Sequence, residues 1–367
     1  MRITLIKPHL VSGYQRKYIP SDLMQPLTIA VLAGLTPAQH EIVFYDDRLE
    51  PISFDEPTDL VAITVETYTA KRSYEIAAEF RRRSIPVVMG GFHPTLIPEE
   101  AIEYADSVVI GEAEGIWEQV LTDAQSKQLK RFYQSRQRPS LCNIKPRRDI
   151  FKSRQRPSLC NIKPRRDIFK GKKYLPLNLV EFSRGCRYNC DFCAVSAFYR
   201  QTNNCRPVEE VIREVESLDD KIVFFVDDNI VANRSAAKEL FRRLIPLKKK
   251  WIGQCSIQIA EDEGLLKLVA RSGCRGMLIG IESLIKENLS RMNKLWNYQG
   301  KDYHALLKKI RDFGIKVYAT FVLGYDGDSK DSFKKNLEFA IKQKFFLAAF
   351  NHLVPFPGTP LYQNLSR

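Results

Sequence analysis

The chain has 367 residues, of which 44% are hydrophobic and 11% aromatic, a globular composition long enough for two domains that excludes disorder throughout. No run of about 18 uncharged apolar residues occurs, and the opening Met1-Arg2-Ile3-Thr4-Leu5-Ile6-Lys7-Pro8 is too short and too soon charged for a signal peptide. The expected location is therefore cytoplasmic, with no transmembrane segment, and the net charge of +14 suggests an anionic partner.

From residue 1 to about 125, short apolar runs alternate with helical patterns. The strands Ile3 to Ile6, Ile42 to Tyr45, Leu60 to Thr64, Val87 to Met89 and Val108 to Ile110 are interleaved with Leu27 to Leu35, Tyr74 to Arg83 and Glu99 to Tyr104. This pattern predicts a parallel sheet with helices on both faces. Ligands of such sheets lie beyond the carboxyl ends of the strands, where glycine lets the backbone approach closely. Two segments fit that place: the turn Gly90-Gly91-Phe92-His93-Pro94-Thr95 and the turn Gly111-Glu112-Ala113-Glu114. Together with the opening strand and its Lys-Pro, these segments resemble the cobalamin-binding domain that precedes the barrel in one group of radical S-adenosylmethionine (SAM) enzymes. The resemblance implies a Rossmann-like domain over 1–125 that holds cobalamin, with Thr64, Gly90, Gly91, His93, Gly111 and Glu112 near it. Many such domains place Asp-x-His-x-x-Gly after the first strand to ligate cobalt. Here Lys7 and Ser12 occupy the Asp and Gly slots around His9, so the expectation is cobalamin without a protein ligand on cobalt, and His93 reads as a turn residue.

Residues 126–173 read as a basic connector. Ser135 to Lys152 recurs without a change as Ser153 to Lys170; each copy adds +5, so removing both would leave +4. The stretch holds four prolines and no amphipathic period, as a solvated linker does. It lacks aromatic interleaving beyond Phe151 and Phe169, which argues against a nucleic-acid-binding arm.

The sharpest signal is Cys186-Arg187-Tyr188-Asn189-Cys190-Asp191-Phe192-Cys193, after the apolar run Leu177 to Phe182. Structural zinc commonly needs two Cys-x2-Cys pairs or nearby histidines. The five histidines, at 9, 40, 93, 304 and 352, are all remote. Three thiolates on one loop suit a cubane iron-sulfur cluster with one iron left open. Cys205, Cys255 and Cys274 read as apolar fillers.

The spacing C-x3-C-x2-C, with the aromatic Phe192 just before the last cysteine, resembles the signature of radical SAM enzymes. That resemblance implies a 4Fe-4S cluster on Cys186, Cys190 and Cys193 whose open iron chelates S-adenosylmethionine. Reduction then cleaves the sulfonium to methionine and a 5'-deoxyadenosyl radical, with electrons from a reductant such as flavodoxin or ferredoxin. Downstream, strands at Ile222 to Val226, Ile252 to Ile259, Gly276 to Ile281, Ile315 to Val322 and Phe346 to Leu353 alternate with helices. With the strand before Cys186 they make a partial (β/α)6 TIM-type barrel over 174–367, whose functional groups belong at the strand ends. Asp227, Asp228 and Asn229 end the second strand, Gln258 lies near the end of the third, and Gly280 and Glu282 end the fourth. Resemblance assigns Phe192, Asp227, Gly280 and Glu282 to S-adenosylmethionine, Asp227 together with Asp228 as a neighbouring wall. Full-length relatives continue with a further C-terminal region, so the barrel is expected to be truncated at Arg367. The function implied is cobalamin-dependent methyl transfer to an unactivated carbon of a small-molecule or lipid substrate. Two alternatives are radical cyclisation or rearrangement without methyl transfer, and a non-catalytic metal- or nucleic-acid-binding remnant.

Overall fold

The computed structural model describes residues 1–10, 23–134, 163–219, 222–298 and 302–366. They form two units, Met1–Pro176 and Leu177–Arg367. In the first, six strands line up in parallel, the inner four buried on both faces along most of their length: β1 (Arg2–Lys7), β2 (Glu41–Asp46), β3 (Leu60–Thr64), β4 (Val87–Gly90), β5 (Ser107–Ile110) and β6 (Phe132–Gln134), in the spatial order β2-β1-β3-β4-β5-β6. The period of two sorts side chains between two cores. Leu60 and Ala62 join Ile29, Ala33, Trp117 and Val120 on one face, while Val61 and Ile63 join Ile76, Phe80 and Ile102 on the other. Each face is thereby covered by helices, Leu27–Leu35 and Trp117–Gln125 on the first and Ala70–Arg82 and Pro98–Tyr104 on the second.

The connector is shorter than its composition suggests. Phe132–Gln134 add the sixth strand, pairing with β5. The end of the second 18-residue copy also packs on this unit. Arg165 N donates to Ala30 O at 2.9 Å, and Phe169 is buried against Phe44 and Tyr174. Gly34 makes this approach possible, because a Cβ there would lie 2.3 Å from Lys163 O. Beyond it, Tyr174 Oη donates to Asp46 Oδ2 at 2.7 Å, and Lys172 pairs with Glu50. Burial of Phe169 in this core outweighs the linker-like composition. Residues 135–162, most of the two copies, lie outside the described residues.

In the second unit, β7 (Asn178–Val180) is followed by the antiparallel pair β8 (Ser183–Arg184) and β9 (Asn204–Cys205). Then come β10 (Ile222–Phe225), β11 (Lys250–Cys255), β12 (Cys274–Glu282), β13 (Lys316–Leu323) and β14 (Leu347–His352). The parallel order β14-β13-β12-β11-β10-β7 is that of a six-stranded (β/α) barrel segment, with Val208–Glu216, Arg234–Leu244, Glu263–Arg271, Tyr303–Asp312 and Lys330–Lys342 between its strands. Gln258 is not on the third strand. That strand ends at Cys255, and Ile257–Glu261 form a helical turn that buries Ile257, Ile259 and Ala260. Cys205, Cys255 and Cys274 are buried. No helix among the described residues is long and apolar enough to cross a membrane.

Candidate functional site

The cysteine loop leaves β7 between two carboxylates. Asp227, 1% exposed, accepts from Phe182 N at 3.0 Å and from Ser183 N and Oγ at 2.5 and 2.6 Å. Asp228 Oδ2 accepts from Gly185 N at 2.9 Å. Burial pushes their carboxyls up, to about 7 for Asp227 and about 6 for Asp228, against the hydrogen bonds that favour the charged forms. Asp227 and Asp228 thus act as clasps on the segment 182–185, and all three of Asp227's donors lie in it. Gly185, at φ +80°, completes the turn into Cys186, because a Cβ there would meet Thr202 O at 2.2 Å.

The far side of the loop is fastened as firmly. Asp191 N donates to Met292 O at 3.1 Å, Asn293 Nδ2 to Asn189 O at 2.8 Å, and Tyr325 Oη to Asp191 Oδ1 at 2.7 Å. Phe192 packs against Leu289, Met292 and Tyr325, so its ring props the loop. Cys190 is buried while Cys186 and Cys193 are partly exposed. Burial raises the Cys186 thiol and pushes Cys190 up to about 12, with Lys294 pulling Cys190 the other way.

The bulge at the end of β12 holds a second cluster of charge. Glu282 is buried at φ +65°, a left-handed backbone unusual for a non-glycine residue. Its Oε1 accepts from Lys294 Nζ at 2.7 Å. Gly280 leaves the space, since a Cβ there would lie 2.1 Å from Glu282 Oε1 and 3.0 Å from Lys294 Nζ. Burial works against the Lys294 ammonium, but Glu282 and the cysteines hold its pKa above the ordinary value.

Between the loop and the ends of β10 and β11 lies a cavity of about 410 Å³, lined among others by Arg187, Tyr188, Asn229, Arg234, Ser256 and Gln258. Tyr188 stacks on Trp296 at 3.5 Å and donates to Gln258 Oε1. Asn229 is 4% exposed, and its buried Oδ1 has no partner within the protein. Sequence alone gives Tyr188 and Lys294 no place in the site, and it gives Asn229 only a position at a strand end with no role. The signal for Asn229 is that it is the polar residue continuing the Asp-Asp pair past a strand end.

The donor set fits a cubane. Among the described residues no three His, Cys, Asp or Glu converge on one point where a single metal ion would sit. A cubane instead asks each thiolate to grip a different iron, as three cysteines spread along one loop can. The cavity adjoins that loop and is roomy enough for a small organic ligand.

In the first unit, chain order reverses between β1 and β3, which puts the ligand crevice beyond their carboxyl ends. Thr64 ends β3 beside it. Gly90 and Gly91 follow on the next strand, and Gly111 with Glu112 one strand further. Gly91, at φ +107°, comes so close to β3 that a Cβ would lie 2.9 Å from Val65 O. Gly111, at φ +85°, faces open space, and its N donates to Thr95 Oγ1 at 2.9 Å. His93 is buried, with Nε2 2.8 Å from Tyr74 Oη, and burial lowers its pKa. His9 is held at its backbone, where N donates to Asp47 Oδ2 at 3.0 Å. The glycine-lined edge fits a ligand held by backbone contacts.

Comparison with known proteins agrees with both halves. The Radical SAM superfamily model matches residues 180–340, and the B12 binding domain model matches residues 21–121. Bacteriochlorophyllide d C-8(2)-methyltransferase of Chlorobaculum tepidum is 30% identical over 353 residues, 92% of this chain and 75% of that protein. The C-12(1)-methyltransferase of the same organism is 28% identical over 348 residues, 93% of this chain and 73% of its own length. The solved structure of the radical S-adenosylmethionine methyltransferase TsrM from Kitasatospora setae, with cobalamin and a 4Fe-4S cluster bound, shares the fold. Its TM-score is 0.72 at 18% identity, over 98% of this chain and 76% of that one.

Proposed function

This chain belongs to the radical SAM enzymes that carry a cobalamin-binding domain, and on that premise we propose that it methylates an unactivated carbon of a small-molecule substrate. It is an enzyme of the cobalamin-dependent radical SAM methyltransferase kind, and its cofactors are a 4Fe-4S cluster, S-adenosylmethionine and cobalamin. When bound, they supply reductive cleavage of a sulfonium and a methyl carrier.

The reading of the residues rests on one observation: three cysteines on a single loop clasped at its entry and again on both sides of its middle cysteine. Cys186, Cys190 and Cys193 hold the cluster. Asp227 and Asp228 fix the loop's entry, and Met292, Asn293 and Tyr325 hold it on either side of Cys190. Asn229, with its orphan acceptor, takes a hydrogen bond from a ligand in the adjoining cavity, while Tyr188 and Gln258 shape that cavity. Glu282 has Oε1 committed to Lys294, so contact with S-adenosylmethionine falls to its other carboxylate oxygen. In the first unit Thr64, Gly90, Gly91, Gly111 and Glu112 border the cobalamin crevice, and His93 supports it from below as a packed turn residue. A flavodoxin- or ferredoxin-like reductant supplies the electron.

Anaerobic reconstitution tests this. The chain should take up about four irons and cleave S-adenosylmethionine to 5'-deoxyadenosine when reduced. With a substrate extract and methyl-labelled S-adenosylmethionine, label should pass to a small-molecule product. Cleavage without label transfer would favour cyclisation or rearrangement, and zinc uptake without iron would sink the cluster reading.

A further inference from the structure

Cys190 is bracketed by one short segment of chain. The residues on either side of it, Asn189 and Asp191, are hydrogen bonded to Asn293 and Met292 respectively. The next residue, Lys294, is thereby delivered to the loop, and its backbone N closes the turn on Leu289 O at 2.7 Å. Its ammonium points inward, with a side chain only 10% exposed. It lies in the electrostatic field of Cys190 and Cys193, and 5.6 Å from the Trp296 ring centre. Glu282 supplies the counter-charge from a left-handed backbone, in space that Gly280 keeps clear.

A buried ion pair is weak ground for stability, because desolvating two charges offsets most of their attraction. The pair's attachment to the segment that brackets Cys190 gives it a different consequence. A cubane held by three thiolates gains a negative charge on reduction, and a fixed cation in a low-dielectric site stabilises the more negative state more. Lysine offers a compact point charge for this. Glu282, on the other side of the ammonium, cancels part of it.

Resting on the assignment of Cys186, Cys190 and Cys193 as cluster ligands, we propose that Lys294 is a positioning residue whose buried charge raises the cluster's reduction potential, with Glu282 setting how much of that charge the cluster feels. Removing the ammonium makes the cluster harder to reduce. Removing the counter-charge makes it easier.

The test is an EPR-monitored redox titration of the full chain, reconstituted anaerobically, in the parent and in K294M, K294R and E282Q, with iron content measured first. A parent that takes up no iron overturns the cysteine assignment, and this inference with it. With iron bound, the expected result is a more negative midpoint in K294M, a midpoint near the parent's in K294R, and a more positive one in E282Q. Unchanged midpoints in K294M and E282Q at full iron content would overturn the proposal. If K294M fails to hold iron, the double variant K294M/E282Q decides, since it removes the ammonium with no counter-charge left unpaired: a midpoint more negative than that of E282Q supports the role, and a midpoint equal to or above it refutes it.

Discussion

In the C-terminal unit the cysteine loop hangs from side chains: Asp227 and Asp228 at its entry, Asn293 and Tyr325 on either side of Cys190, with Phe192 wedged beneath. The crevice of the N-terminal unit is shaped by main chain instead, by strand ends and by glycines at φ +107° and +85°. The contrast follows from what each must hold. A metal cluster demands particular donor atoms, so its ligands are irreplaceable side chains whose supports must be rigid. A large ligand lying along a sheet edge demands access, so absent side chains do the work.

The contrast breaks most visibly at the ligands. Cys193→Ala should abolish iron uptake and reductive cleavage of S-adenosylmethionine while leaving cobalamin retention, followed by absorbance, at the parent level. Loss of both cofactors would show that the two sites are coupled. The reciprocal variant is Gly91→Ala. It forces a Cβ onto a φ of +107° and against Val65 O, which should lower stability by about 2 kcal/mol and weaken cobalamin binding with iron content unchanged.

A smaller effect tests the clasp. The Asp227 carboxyl is raised from 3.8 to about 7 in the folded state, so the native protein binds that proton more tightly than the unfolded chain does. Stability must then fall as pH rises through that window and level off above it. Asp227→Asn should flatten this part of the profile in urea unfolding, and an unaltered slope would refute the assignment. Smallest of all, deleting Ser153 to Lys170 should change the urea midpoint and both cofactor loads by nothing measurable. The surviving copy then joins Gly171 directly and presents Phe151 where Phe169 now packs.

Chemistry that lives in residue identity and spacing was readable before the fold. The three cysteines, the glycine turns and the β/α alternation all announce themselves locally. What stayed hidden depends on long-range contact. Lys294 is one of many lysines in the chain, and only the fold sets it beside Glu282 and the cysteines. Asp227 and Asp228 read as pocket walls because they end a strand, and the backbone they hold lies more than 40 residues upstream. Phe132–Gln134 is too short to show a period, and Gln258 was read into a strand because the apolar run continues past Cys255 into a buried helical turn. The docking of the connector's end is hidden for a related reason: proline and charge dominate its average, whereas one phenylalanine, Phe169, packs against Phe44 and Tyr174.

That docked end bears on how the gene itself can change. Whichever repeat adjoins Gly171 supplies the same Lys-Pro-Arg-Arg-Asp-Ile-Phe-Lys octapeptide, so unequal exchange between the two tracts can contract the array without altering what settles beneath the sheet.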